Sequence, residues 1–172
     1  MNNSYHNIIN NKIKNIPSNI TLSSTVLTNN SEFPKNYTCD GENIMIPLSW
    51  TTLSNVSSYA LICVDTHPIA NRWVHLYIPI LIPNNKNNSK INYPNVTTSL
   101  VATNSFGKRG YDGPCPPENS GIHNYIFYIF GLNGIVKENE DSCKDVIQFL
   151  EMCEKQNIQI IGYGILQGTY IK

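Results

Sequence analysis

The chain has 172 residues, of which 41% are hydrophobic and only 14% charged, with twelve Lys and Arg balancing twelve Asp and Glu. That length fits one domain whose core is large enough to fold without metal or disulfide staples. The neutral balance speaks against a nucleic-acid binder, which needs a basic face, and against a polybasic membrane anchor.

The first segment, residues 1–17, is Asn-rich and without clear periodicity, so it reads as a flexible arm ahead of a single domain over 18–172. It has no continuous apolar stretch of the kind a signal peptide carries. Ile20–Ser24 is short and β-branched, and Met45–Trp50 follows the turn Cys39-Asp40-Gly41. Ser58–Asp65 is an almost unbroken apolar run ending in an acid. Arg72–Ile82 and His123–Leu132 are rich in β-branched and aromatic residues, and Ile158–Tyr170 is punctuated by Gly162, Gly164 and Gly168. Short strands bounded by Gly, Pro and Asn favour a sandwich or barrel. Between the last two strands, Cys143, Val146, Ile147, Leu150 and Cys153 recur at helical spacing, which predicts a packing helix over Ser142–Lys155 with Ser142 as its cap.

No apolar run approaches the roughly 18–20 residues a spanning helix needs, so no transmembrane segment is expected. Asn fills about one position in seven; its excess in stretches such as Asn84–Asn88 reads as compositional background. The glycosylation sequons at Asn36 and Asn95 are expected by chance at that level. The five cysteines, Cys39, Cys63, Cys115, Cys143 and Cys153, form no CxxC pair. Their odd number and irregular spacing argue against a disulfide framework and for a reducing, cytoplasmic setting.

Three stretches carry candidate chemistry: Tyr37-Thr38-Cys39-Asp40-Gly41, Asp65-Thr66-His67-Pro68 with Trp73-Val74-His75, and Ser105 through Pro117 to His123-Asn124-Tyr125. Period-2 alternation puts Trp73, His75 and Tyr77 on one face, and His123 with Tyr125 on one face. Imidazoles and a phenol at strand ends suit the oxygens of a phosphate monoester, and Asp65 could orient an imidazole. Gly110 and Gly113, followed by the stiffening Pro114, Pro116 and Pro117, could form a rigid loop whose amides cradle an anion. Asp65, His67, His75 and His123 are also ligand types for zinc or iron, but no HExxH spacing joins them, so neither metal nor cofactor is expected. No GxSxG elbow, Walker A loop or Rossmann fingerprint is present.

YTCDGEN, PLSW, NSFGKRGYDGPCPP, HNYIFYIFGL and the closing QGTY occur in the order seen in the phosphatidylethanolamine-binding protein family, which includes the Raf kinase inhibitor proteins. The resemblance covers about residues 20–170 and is greatest to the bacterial-type branch, whose members carry TCDG, PPLSW and GYGGPCPP. It implies a mainly β fold, an antiparallel β-sandwich with Greek-key connections and one or two short helices. It also implies a small anion pocket holding phosphate or a phosphoethanolamine-like head group. Carried over by motif, that pocket would include Asp65, Trp73, His75, Gly113, Pro114, His123 and Tyr125, with Pro68 and Pro116 shaping the walls; His67, Asp40 and Tyr111 are further candidates. Cys39 and Cys115 lie in loops that the resemblance brings near one another, where they could pair.

Two departures stand out. The family's Asp-Pro-Asp-Ala-Pro turn is here Asp65-Thr66-His67-Pro68, which disturbs the usual hydrogen bonds and would make the pocket more cationic in mild acid. Asn124 follows the pocket histidine where animal members often have Arg, and the animal C-terminal helix has no counterpart after Tyr170, which should leave the pocket more open. The expected function is therefore a non-enzymatic, regulatory binding protein for phosphorylated or acidic ligands. The alternatives are a kinase or protease inhibitor docking at the same pocket, or a hydrolase using a pocket histidine.

Overall fold

Burial on both faces explains the longest apolar runs. The computed structural model describes residues 4–82, 90–93 and 98–172; the Asn84–Asn88 tract and the sequon at Asn95 lie outside the described residues. The strands are β1 (Leu22–Ser23), β2 (Ser31–Glu32), β3 (Leu48–Thr51), β4 (Ser58–Asp65), β5 (Val74–Leu81), β6 (Lys90–Tyr93), β7 (Thr98–Leu100), β8 (His123–Leu132) and β9 (Ile160–Tyr170). The helices are α1 (Tyr5–Ile13) and α2 (Val146–Lys155). A six-stranded sheet in the order β2-β9-β8-β4-β5-β7 lies against a three-stranded sheet in the order β1-β3-β6. Its pairings are antiparallel except for the short parallel pair β2–β9 at one edge.

Alternate residues of β4 and β8 feed two separate cores. Tyr59, Leu61, Cys63, Tyr125, Phe127 and Ile129 meet Leu22, Leu48 and Trp50 of the small sheet. Ala60, Ile62, Val64, Ile126, Tyr128 and Phe130 face the other way, under α1 and α2. A strand buried on both sides reads as continuous hydrophobicity, as SYALICVD does.

From Ser4 onward, the first segment is not a free arm. Ser4 caps α1 through the amide of Asn7, Ile9 and Ile13 bury one turn apart, and the Val146 amide donates to the Tyr5 hydroxyl at 3.1 Å. Packing beneath α2 supplies the order that an Asn-rich sequence lacks on its own. The second helix is shorter than its periodicity predicts. Asp145, not Ser142, is the cap, because Asp145 and Gln148 close a reciprocal capping box. Cys143 therefore precedes the helix and is only half-buried, whereas Cys153 is core.

Two further expectations change. Cys39 and Cys115 form a disulfide across 76 residues of sequence, with Cα atoms 5.3 Å apart. The cysteine spacing argues against it, but spacing reports nothing about which loops a fold brings together, whereas the family resemblance brings these two loops near one another. In β5, the pairing with β4 shifts between Cys63 opposite Leu76 and Val64 opposite Val74, which marks a bulge. Strict alternation thus fails: Val74 and Tyr77 face the helices, while Leu76 faces the inter-sheet core and the His75 ring lies 5.1 Å from that of Tyr125. The bulge re-aims His75 toward the sheet end where a pocket opens.

Candidate functional site

Asp65 ends β4 and His123 begins β8, and antiparallel pairing sets Asp65 opposite Tyr125. The Asp65 carboxylate is buried and doubly engaged: one oxygen accepts from the His67 amide at 2.8 Å, and the other lies 2.6 Å from Nδ1 of His123. The amide of His67, not its side chain, supplies the bond that closes the turn. Its ring stacks face to face on His123 at 3.9 Å, and its Nδ1 accepts from the Ile69 amide. The turn ends with Asn71 and Arg72 in the left-handed region, φ 48° and 64°. Arg72 then reaches Asp145 and covers the Tyr5 ring, which ties the turn to both helices.

His75 is held from the opposite loop. Its Nδ1–H donates to the Asp112 carbonyl at 2.7 Å, while the Asp112 amide donates to the His75 carbonyl at 3.0 Å. Burial lowers the pKa of His75 below 6.5, against the opposing pull of that carbonyl and of the Asp65 and Asp112 charges. In the neutral ring so favoured, Nε2 is a lone-pair acceptor. Asp112 is itself buried, and its carboxylate accepts from Asn43, Asn104 and Lys108 at 3.2, 2.9 and 3.1 Å.

Asp65, His75 and His123 floor a cavity of about 250 Å³. Asp65, Trp73, His75, Pro116, His123 and Tyr125, all expected from sequence, line it together with Ile69, Ala70, Phe106, Cys115 and Pro117. Trp73 and Phe106 form an edge-to-face pair 5.4 Å apart at the mouth and remain 40% and 39% exposed. Among the described residues, four buried polar side-chain atoms lack a hydrogen-bond partner, and the Tyr125 hydroxyl is the one on the cavity wall. Burial pushes its pKa up, with the Asp65 carboxylate adding through its charge and a hydrogen bond, while the Cys115 amide pulls the other way. The phenol is therefore a neutral donor.

The other expected residues do different work. Gly113 and Pro114 lie outside the cavity wall. The Gly113 amide donates to Asn43 at 2.8 Å, and a Cβ there would sit 2.2 Å from the Tyr37 carbonyl oxygen. Pro114 accepts from the Cys39 amide at 3.1 Å, so this stretch docks two loops and its Gly113 amide is no anion cradle. Pro68 lines a separate groove with His67 and Arg72. Asp40 accepts from the Tyr170 hydroxyl at 2.7 Å and pairs with Lys172, which together lower its pKa. Tyr111 donates to the Tyr37 carbonyl at 3.1 Å and stacks on Phe127.

Sequence reasoning passed over Ser120, whose Oγ lies 2.9 Å from His123 Nε2, and Phe106, whose aromatic class at the SFGK turn was the available signal. No cluster of three or more His, Cys, Asp or Glu stands ready for a metal ion among the described residues.

A family model described as phosphatidylethanolamine-binding protein matches residues 23–166. The chain belongs to the phosphatidylethanolamine-binding protein family. A UPF0098 protein of Methanothermobacter thermautotrophicus is 34% identical over 157 residues, covering 88% of this chain and 98% of the relative. LppC of Mycobacterium tuberculosis, named as a lipoprotein, is 28% identical over 66% of this chain and 55% of its own length. Among solved structures, a phosphatidylethanolamine-binding protein homologue of Chlamydia trachomatis superposes with a TM-score of 0.69 at 28% identity, covering 89% of this chain and 97% of that one. A carboxypeptidase Y inhibitor solved with its cognate proteinase shares the fold at TM-score 0.52 and 14% identity, over 99% and 98% of the two chains.

Within the family fold, no helix among the described residues is long and apolar enough to cross a membrane. The Cys39–Cys115 disulfide removes the thiol argument for a reducing, cytoplasmic setting, because such bonds persist mainly in oxidising compartments.

Proposed function

We propose that this member of the phosphatidylethanolamine-binding protein family is a binding protein whose cavity takes a small phosphorylated head group. The observation that carries it is the Tyr125 hydroxyl on the cavity wall, a buried neutral donor that makes no well-formed hydrogen bond although the Asp65 carboxylate and the Cys115 amide act on it. A polar group so placed costs free energy unless a ligand satisfies it. A phosphate oxygen would accept from Tyr125 and from the Cys115 amide, while His75 Nε2 accepts a P–OH proton. The aromatic pair Trp73 and Phe106 would cover the rest of the ligand, and an ethanolammonium group suits a ring face. Lys and Arg do not line the cavity, so the affinity should be modest.

Calorimetric titration of phosphoethanolamine into wild type and Tyr125→Phe tests this. Saturable binding weakened about tenfold or more by the variant is expected. Equal affinity in the two proteins would contradict it.

A second reading, docking of a kinase or protease at the same mouth, has in its favour the exposed apolar rim of Ile69, Trp73 and Phe106. A partner captured by wild type and kept by Trp73→Ala and Ile69→Ser would count against it.

A further inference from the structure

His123 is engaged on both sides. Its Nδ1 faces the Asp65 carboxylate at 2.6 Å, and its Nε2 faces the Ser120 hydroxyl at 2.9 Å. Both distances lie within the reach that joins a base to its nucleophile and to its orienting acid. The imidazole and the carboxylate are almost wholly buried, at 1% and 5% side-chain exposure. The His67 ring stacked at 3.9 Å fixes the plane of His123, and the His67 amide fixes Asp65. Ser120 itself is half-exposed in the turn after Pro117.

We infer that Ser120, His123 and Asp65 form a nucleophile–base–acid relay that hydrolyses small carboxylic esters. This inference stands apart from phosphate recognition, which rests on Tyr125 rather than on Ser120. The order Asp65, Ser120, His123 along the chain has no GxSxG elbow, which is why motif spacing does not reveal it.

The hydroxyl has one proton and two acceptors in reach, His123 Nε2 and the Pro117 carbonyl at 2.5 Å. When the proton bonds to Pro117, Nε2–H donates to Ser120. When Nε2 is unprotonated, the serine donates to it, and this is the reactive arrangement. Oγ then attacks the acyl carbon while its proton passes to Nε2, and Asp65 steadies the imidazolium. The bond from the acyl carbon to the alkoxide breaks, and the alkoxide leaves with that proton. Water attacks the acyl-Ser120 ester, gives a proton to Nε2 and releases the carboxylic acid, and the proton returns to Oγ. The amides of Gly121 and Ile122 make no backbone hydrogen bond among the described residues and follow the nucleophile directly in sequence, which makes them the candidate oxyanion donors. His123 and Asp65 line the cavity of about 250 Å³ with Trp73, Phe106 and Pro116, while Ser120 stands outside its wall, half-exposed, so the relay meets small esters at the surface beside the cavity.

The test is labelling of the intact protein with a fluorophosphonate, followed by peptide mapping, beside hydrolysis of p-nitrophenyl butyrate. A stoichiometric adduct on Ser120 is expected. Hydrolysis should fall at least about tenfold in Ser120→Ala and in His123→Gln. Asp65→Asn should slow turnover more than it raises KM, and the surface variant Lys137→Ala should leave the rate unchanged. Ser120→Ala should still bind phosphate, which separates failure of the relay from failure of the binding proposal. An adduct absent from Ser120 in folded wild type, or hydrolysis unchanged in Ser120→Ala, overturns the relay.

Discussion

At His75, burial and function pull in opposite directions. The folded pKa lies below the 6.5 of the unfolded chain, chiefly through desolvation. Below about pH 6.5 the unfolded state therefore binds more protons than the native state, and stability falls as the pH drops until the folded ring titrates as well. Denaturant unfolding between pH 7.5 and 5 should show this slope, and His75→Gln should flatten it; an unchanged slope would assign it elsewhere. Because Nδ1–H is committed to the Asp112 carbonyl, phosphate affinity should also fall as the pH rises and the P–OH proton is lost. Tyr125→Phe should leave stability within about 1 kcal/mol of wild type, since the buried hydroxyl it removes makes no well-formed hydrogen bond. Much of this site was legible: histidines, a tyrosine and an acid at strand ends are chemically conspicuous. The supports were not. Asn43 and Asn104 hold the Asp112 carboxylate, yet in a chain where Asn is common they look like background.

Among the elements, the two loops behind the cavity depend on close approach. A Cβ on Gly113 would stand 2.2 Å from the Tyr37 carbonyl oxygen, backbone that cannot rotate away. Gly113→Ala should therefore shift the loop, weaken phosphate binding and lower stability, all read from one titration and one melt; wild-type values in both would refute the contact. The disulfide joins the same loops and closes 76 residues of sequence. Its reduction should lower stability by about 2–5 kcal/mol in denaturant unfolding with and without reductant; an unmoved midpoint would show that other contacts already hold the loops. The long strands were legible because each is a continuous apolar run. The β5 bulge was not, because a bulge is set by pairing with β4 and leaves no mark in the alternation of β5 itself. Helix α1 was hidden for a related reason: its order comes from Ile9 and Ile13 packing under α2, not from intrinsic propensity.

Across the whole molecule, two cores share one sheet. One core fills the space between the sheets, and the other lies under the helices. The cavity opens where β4 ends, β8 begins and the bulge of β5 turns His75 inward, so stability and recognition draw on the same strands. Low overall charge accords with a site built from imidazoles, a phenol and an amide rather than from Lys or Arg. Backbone amide resonances followed by NMR during a phosphoethanolamine titration test this most directly. Saturable shifts at millimolar ligand should centre on Cys115, His75 and Tyr125, and should be lost in Tyr125→Phe. No shift at that concentration, or shifts confined to residues away from the cavity, would contradict the account.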